Sequence, residues 1–170
     1  MLIIGIDPGT ARLGFGLVKN GKTKGLDFVE AGCLETNLET PMPQRLLYLQ
    51  SEIGKLLVRH KPDVLAIEQL FFGINAKTAI AVGQARGVVL AEAARYGVPV
   101  FEYQGLSVKF ALTGFGRAKK KEIQESVRKF LRMEKVVRPD DAADGLAIAI
   151  THYIKSNPSA KTATKTKSRK

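Results

Sequence analysis

Two short apolar runs each end on a lone carboxylate, and this pairing constrains the chain more than any other feature. The opening stretch MLIIGIDPGT brings Asp7 directly after residues 2–6, and DVLAIE (63–68) brings Glu68 after a second run rich in Val, Leu and Ile. Uninterrupted apolar runs of this length read as strands buried in a sheet. An acid at the mouth of such a strand must be desolvated in part, which is unfavourable unless something offsets its charge. Asp7 precedes Pro8-Gly9, so turn chemistry is one explanation for it. Glu68 lies between VLAI and QLFF, where Glu is rarely buried unpaired, and is harder to explain in that way.

The remaining pattern places these runs in a sheet. Residues 12–34 give two extended segments about Asn20-Gly21, a dipeptide suited to a tight hairpin, so three early strands are expected to run antiparallel. From Pro43 to His60 the apolar positions Leu46, Leu49, Ile53, Leu56 and Leu57 recur at helical spacing. Residues 76–96 form a long helix of small residues closed by Gly97, and VPVFEY (98–103) a further strand. Residues 119–131 and 140–154 read as helices. A mixed sheet with helices on its faces, an α/β fold, satisfies this order. From Ser156 onward Ser, Thr, Ala and Lys dominate without periodicity, so a domain of residues 1–157 is expected to be followed by a basic, disordered tail, 158–170.

Charge and cysteine content narrow the class. The 170 residues suit one domain with a real core. The chain carries 27 basic and 16 acidic side chains, a net charge of +11; with the six basic residues from Lys155 onward set aside, residues 1–154 still carry +5. A polyanion such as nucleic acid is the partner this favours. The single cysteine, Cys33, rules out an intrachain disulfide and a cysteine-based metal site, which suits a reducing cytoplasm. The N-terminus has no signal-peptide pattern, and no apolar run approaches the roughly 20 residues of a membrane span, so no membrane partner is expected.

Asp140, Asp141 and Asp144 open the last apolar helix, and Asp141 and Asp144, three apart, share a face of it. If Asp7 and Glu68 sit on adjacent strands, this helix can turn its acids toward the same edge. Each ionised pair at ~4 Å then costs about 4 kcal/mol at an effective dielectric near 20. A hard divalent cation with oxygen ligands removes that penalty, with Mg²⁺ the default. Asp140 and Asp141 also fit simple capping and dipole roles. No rival catalytic set is present: His60 and His152 sit near helix C-termini, where surface roles are expected, and Gly114-Phe115-Gly116 lacks the setting of a dinucleotide loop.

Together IIGIDPGT, LAIEQLFF, VGQARG and PDDAADGLAIAITH closely resemble the RuvC family of bacterial Holliday-junction endonucleases, within the ribonuclease H-like superfamily, in order from Leu2 to His152. The resemblance implies a ribonuclease H-like mixed five-stranded sheet with helices on both faces. It places the four catalytic, metal-binding acids on Asp7, Glu68, Asp141 and Asp144, with Asp140 a capping neighbour. It implies two Mg²⁺ ions per site, with Mn²⁺ able to substitute, and paired symmetric cuts in a four-way junction that leave 5′-phosphate and 3′-hydroxyl ends. Phe71, or else Phe72, matches the aromatic near the junction's unpaired bases, although core packing also explains such residues. Lys109 and Lys120 match basic residues that face DNA, and Arg117, Lys119, Lys120 and Lys121 fit a phosphate-binding surface or a solvated helix start. The helix containing VGQARGVVLAEAA resembles the family's dimer-forming element, so a homodimer is implied, working beside RuvA and RuvB in the cytoplasm. Gly145 stands where the family commonly has a small residue such as alanine, a departure worth about 1 kcal/mol of helix propensity.

Two other families share part of the pattern. GID-x-GT also opens actin-like ATPases, which need a second lobe for which 170 residues leave no room. The YqgF-type nucleases that act on RNA share the first motif but are usually shorter.

Overall fold

The computed structural model describes residues 1–21, 25–69 and 76–157. Among these, five strands and five helices follow one another: β1 (Leu2–Asp7), β2 (Arg12–Asn20), β3 (Leu26–Glu35), α1 (Met42–His60), β4 (Val64–Glu68), α2 (Ala76–Arg95), β5 (Val100–Tyr103), α3 (Gly105–Thr113), α4 (Lys120–Phe130) and α5 (Asp140–Ser156). The strands form one mixed sheet in the order β3-β2-β1-β4-β5. β1 pairs antiparallel with β2, as β2 does with β3, whereas β1 with β4 and β4 with β5 are parallel. This is the mixed five-stranded α/β sheet expected from the order of segments.

Strand alternation explains why the first and fourth strands read as continuous apolar runs. Ile3, Val18, Val64 and Ala66 turn toward α3, α4 and α5, and Ile4, Ile6, Leu65 and Ile67 turn toward α1 and α2. Helices therefore cover both faces, and a central strand needs apolar residues at successive positions. On the second face the helical stripe of α1, Leu49, Ile53, Leu56 and Leu57, meets Ala85, Val89 and Ala93 of α2.

α5 packs unusually close to the sheet. A β-carbon added at Gly5 would lie 2.2 Å from the Gly145 carbonyl oxygen, one at Gly14 2.0 Å from that of Asp141, and one at Gly16 2.5 Å from the Leu146 nitrogen. The contact is reciprocal: a β-carbon at Gly145 would lie 2.5 Å from the Phe15 carbonyl carbon. Helix backbone thus rests on strand backbone. The glycine at 145, unfavourable by helix propensity alone, is required by packing.

Three local expectations are corrected. Asn20 still pairs with Leu26 in the ladder and Gly21 donates to the Gly25 carbonyl (3.0 Å), so the hairpin reverses across residues 21–25 rather than in a two-residue turn at Asn20-Gly21. α3 was not expected: GLSVKFALT buries only Val108 and Leu112 and so shows little amphipathic pattern. Its one local signal is Gly114, a left-handed C-cap (φ 76°) donating to the Phe110 carbonyl. His152 is buried rather than at the surface, its Nδ1 2.8 Å from the Tyr103 hydroxyl, and His60 lies 3.0 Å from Glu30. Residues 158–170, the expected basic tail, lie outside the described residues.

The close approach of α5 sets an expectation. Gly14→Ala places a methyl group against the backbone of Asp141 and should lower stability by about 1–3 kcal/mol, the usual range for overpacking. Gly145→Ala should also destabilise, although propensity alone predicts a gain of about 1 kcal/mol. Urea denaturation of both variants, read as midpoint shifts at constant slope, separates the two effects.

Candidate active site

The parallel register of β1 and β4 sets Ile6 beside Ile67, so Asp7 and Glu68 leave adjacent strands at the same sheet edge. Each carboxylate acts on the other's ionisation. On its other side Asp7 pairs with Gly14 of β2, over which the first turn of α5 lies. Gly105, at the start of α3, leaves room on the far side: a β-carbon there would lie 2.5 Å from Glu68 Oε1. Two strand ends, the start of α5 and the start of α3 thus meet at one place.

Electrostatics at this edge is unfavourable to ionised acids. Burial, then the charges of Glu68 and Asp144 and, least, that of Asp141, raise the Asp7 pKa from 3.8 to about 7. Glu68 is held above its ordinary value by burial, which outweighs the hydrogen bond from Asp7 and the nearby charge of Lys109. Asp144 is also pushed up by burial, although Lys120 Nζ lies 3.3 Å from its Oδ2. Asp141 is turned onto Arg12, whose Nε lies 2.8 Å from Oδ2, while the same guanidinium reaches Glu35 at 3.1 Å.

Asp140 behaves differently. It does not cap α5: the N-cap is Pro139, with no side-chain cap bond. Its carboxylate pairs with Arg138 and lies 3.6 Å from Lys120 Nζ. It is absent from the charges that raise Asp7, whereas Asp141 is among them.

The basic residues divide into two groups. Lys120 contacts the acids directly, and Lys109 acts on Glu68 through its charge. Arg117, Lys119 and Lys121 are exposed and make no ion pair with a described carboxylate. Lys119 opens α4, where its backbone N–H donates to Glu122 Oε2 (2.7 Å), and this fixes the turn that carries Lys120. Phe71 and Phe72 lie outside the described residues. Arg12 was missed from sequence: its role depends on β2 and α5 meeting, and a lone arginine in TARLGFG carries no local sign of that.

Among the described residues no three His, Cys, Asp or Glu side chains are already drawn into a metal-ligating cage. The donor set nevertheless suits a hard divalent cation: carboxylate oxygens only, desolvated, mutually repelling, with two of them held by the mobile side chains of Arg12 and Lys120. Neutral donors or buried counter-cations would have made such a cation unnecessary.

Residues 3–152 match the family model described as crossover junction endodeoxyribonuclease RuvC. The RuvC of Desulfitobacterium hafniense is 52% identical over 152 residues, covering 89% of this chain and 92% of its own length. Among solved structures, Thermus thermophilus RuvC superposes with a TM-score of 0.86 at 34% identity, covering 94% of this chain and 98% of that one. T. thermophilus RuvC in complex with a Holliday junction substrate gives 0.85 at 32% identity, with the same coverage. With its ribonuclease H-like sheet, its matched length and this degree of identity, the chain belongs to the RuvC family of crossover junction endodeoxyribonucleases.

Proposed function

We propose that this chain resolves four-way DNA junctions by metal-dependent hydrolysis of phosphodiester bonds, with Asp7, Glu68, Asp141 and Asp144 as the acids that hold the metal. The observation that carries this is the register of the parallel strands β1 and β4, which brings Asp7 and Glu68 to one sheet edge, where burial and acidic neighbours raise Asp7 to about 7. A site that keeps four carboxylates together at a stability cost, in a family of junction endonucleases, is organised around a cation.

Metal dependence belongs to the family. The finer assignment, two Mg²⁺ ions per site with Mn²⁺ as a substitute, is what the resemblance implies, and an all-oxygen donor set suits it. Bound there, such ions activate water and stabilise the leaving oxygen of an in-line displacement. The chain's own residues set the geometry. Asp7 and Glu68 are anchored by strand pairing, and α5 brings Asp141 and Asp144 over them from a buried helix. Arg12 and Lys120 neutralise Asp141 and Asp144 and must release them when the metal and DNA arrive. Lys109, close enough to act on Glu68, and the exposed Arg117, Lys119 and Lys121 are the cations we assign to DNA phosphates. Cleavage of the P–O3′ bond leaves 5′-phosphate and 3′-hydroxyl ends that a ligase can join.

Symmetric cutting calls for two sites, and we assign the dimer to the face bearing α2. Ile80 on α2 and Leu47 and Val58 on α1 are exposed apolar side chains, which we assign to the surface that a second copy would cover. RuvA and RuvB as partners, and work in the bacterial cytoplasm, complete the proposal. No helix among the described residues is long and apolar enough to cross a membrane.

Asp7→Asn tests the acid site in two ways. On a synthetic four-way junction with Mg²⁺ the variant should bind as the parent does and lose cleavage by at least about 10³-fold. Chelation with EDTA should abolish cleavage by the parent, and added Mg²⁺ or Mn²⁺ should restore it. Ordinary cleavage by the variant would overturn the assignment of Asp7.

Stability provides the second readout. Because the folded-state pKa of Asp7 lies above its unfolded value, the folded protein binds more protons between about 4 and 7, and stability falls as pH rises through that window. In metal-free buffer at pH 8, Asp7→Asn should therefore be more stable by on the order of 4 kcal/mol, from a rise from 3.8 to about 7 at about 1.4 kcal/mol per pKa unit. The advantage should vanish below pH 4, and thermal melts across pH follow it.

A further inference from the structure

One exposed feature is left unused by the acid site. Leu106 and Phe110 on α3 and Phe115 in the loop that follows are 66%, 62% and 60% exposed, and together they line a groove floored by Ser107 and bordered by Arg117. Three large apolar side chains held in water at one place mark a contact surface.

The groove is rigid. Thr113 Oγ1 accepts a hydrogen bond from the Phe115 N–H at 3.1 Å and lies 2.8 Å from the Lys109 carbonyl, which it reaches as donor. Gly114 closes α3 in the left-handed conformation, and Gly116 folds back against the Leu106 carbonyl. Both phenylalanine backbones are therefore fixed before any partner arrives, which lowers the entropy lost on binding.

Its surroundings identify the occupant. No acid lines the groove, while Arg117 borders it and Lys109 adjoins Phe110. Lys155 Nζ donates to Ser107 Oγ at 2.6 Å and adds a third cation. The groove's lining residues Gln104 and Leu106 flank Gly105, which abuts Glu68. Flat aromatic surface among cations, next to a phosphodiester-cleaving edge, suits a nucleic-acid strand whose bases are unstacked.

We propose that the Leu106–Phe110–Phe115 groove is a stacking site for an unpaired base of the DNA strand that passes the acid cluster, with Arg117 and Lys109 on its neighbouring phosphates. The proposal rests on the nuclease function assigned above and adds a contact outside the acids and the basic rim.

The test compares Phe110→Ala/Phe115→Ala with the Leu and Tyr double variants, all in EDTA, on three probes: a short oligothymidylate, a blunt duplex and a four-way junction. The Ala and Leu variants should bind oligothymidylate about 5- to 100-fold more weakly, the range set by stacking of one base. Both should bind duplex as the parent does, and the Tyr variant should restore single-strand affinity. Because both side chains are exposed, melting temperatures should stay unchanged. Unaltered binding of oligothymidylate by the Ala variant, or full rescue by Leu, would overturn the stacking site. So would an equal loss on duplex, or a change confined to self-association. Parent protein that fails to cut junctions in Mg²⁺ would instead refute the nuclease function, while the oligothymidylate comparison would still judge the groove.

Discussion

Backbone-to-backbone contact between α5 and the β1–β2 pair is the constraint on which the rest of the molecule depends. Gly5, Gly14, Gly16 and Gly145 leave out the β-carbons that would strike the facing backbone, and each glycine raises the entropy lost on folding. The return is position. Asp141 and Asp144 sit in the first turns of a helix that cannot rise from the sheet, and Asp7 lies in the strand beneath them. A small side chain anywhere along the contact would lift the helix, separating acids that come from elements more than a hundred residues apart.

That rigidity is needed because the acids oppose their own assembly. Buried carboxylates at one sheet edge push Asp7 to about 7 and hold Glu68 and Asp144 above their ordinary values. Left to relax, the site would open; the glycine contact and the parallel pairing of β1 with β4 prevent it. The cations nearby are placed so as not to defeat the purpose. Arg12 and Lys120 both carry side chains about half exposed to solvent, so they can swing away, unlike a buried counter-ion built into the core. Stability is given up locally for a charge distribution that a metal can satisfy.

What could be read from the sequence follows from how local its cause is. The runs ending in Asp7 and Glu68 announce buried strands with acids at their mouths, because strand burial and desolvation act over a few residues. The stripe of α1 and the apolar helix after Asp141 are legible for the same reason. α3 was not legible: its nine residues bury two side chains, and tertiary position holds it as a helix. Arg12 and the need for Gly145 were hidden too, since both depend on α5 meeting β2. The pairing of Asp140 with Arg138, and of Asp141 with Arg12, was likewise beyond the reach of spacing. His152 was misjudged because chain position near a helix end says nothing about burial beneath Tyr103.

A polyanionic substrate must approach an edge that already carries four acids, and this shapes the surface around it. Two cations act on the acids, Lys120 by contact with Asp144 and Lys109 through its charge on Glu68, while Arg117, Lys119 and Lys121 are exposed. More cations placed nearer would hold DNA more firmly but would also pair with the carboxylates, as Lys120 already does with Asp144. Aromatic stacking avoids that conflict, because a phenyl ring attracts a base without competing for a carboxylate or a metal. A groove lined by Phe110 and Phe115, on the helix whose start at Gly105 abuts Glu68, is therefore consistent with the cluster's electrostatics. Where charge is reserved for the cation, a neutral surface is the remaining means of gripping a strand close to the bond to be cut.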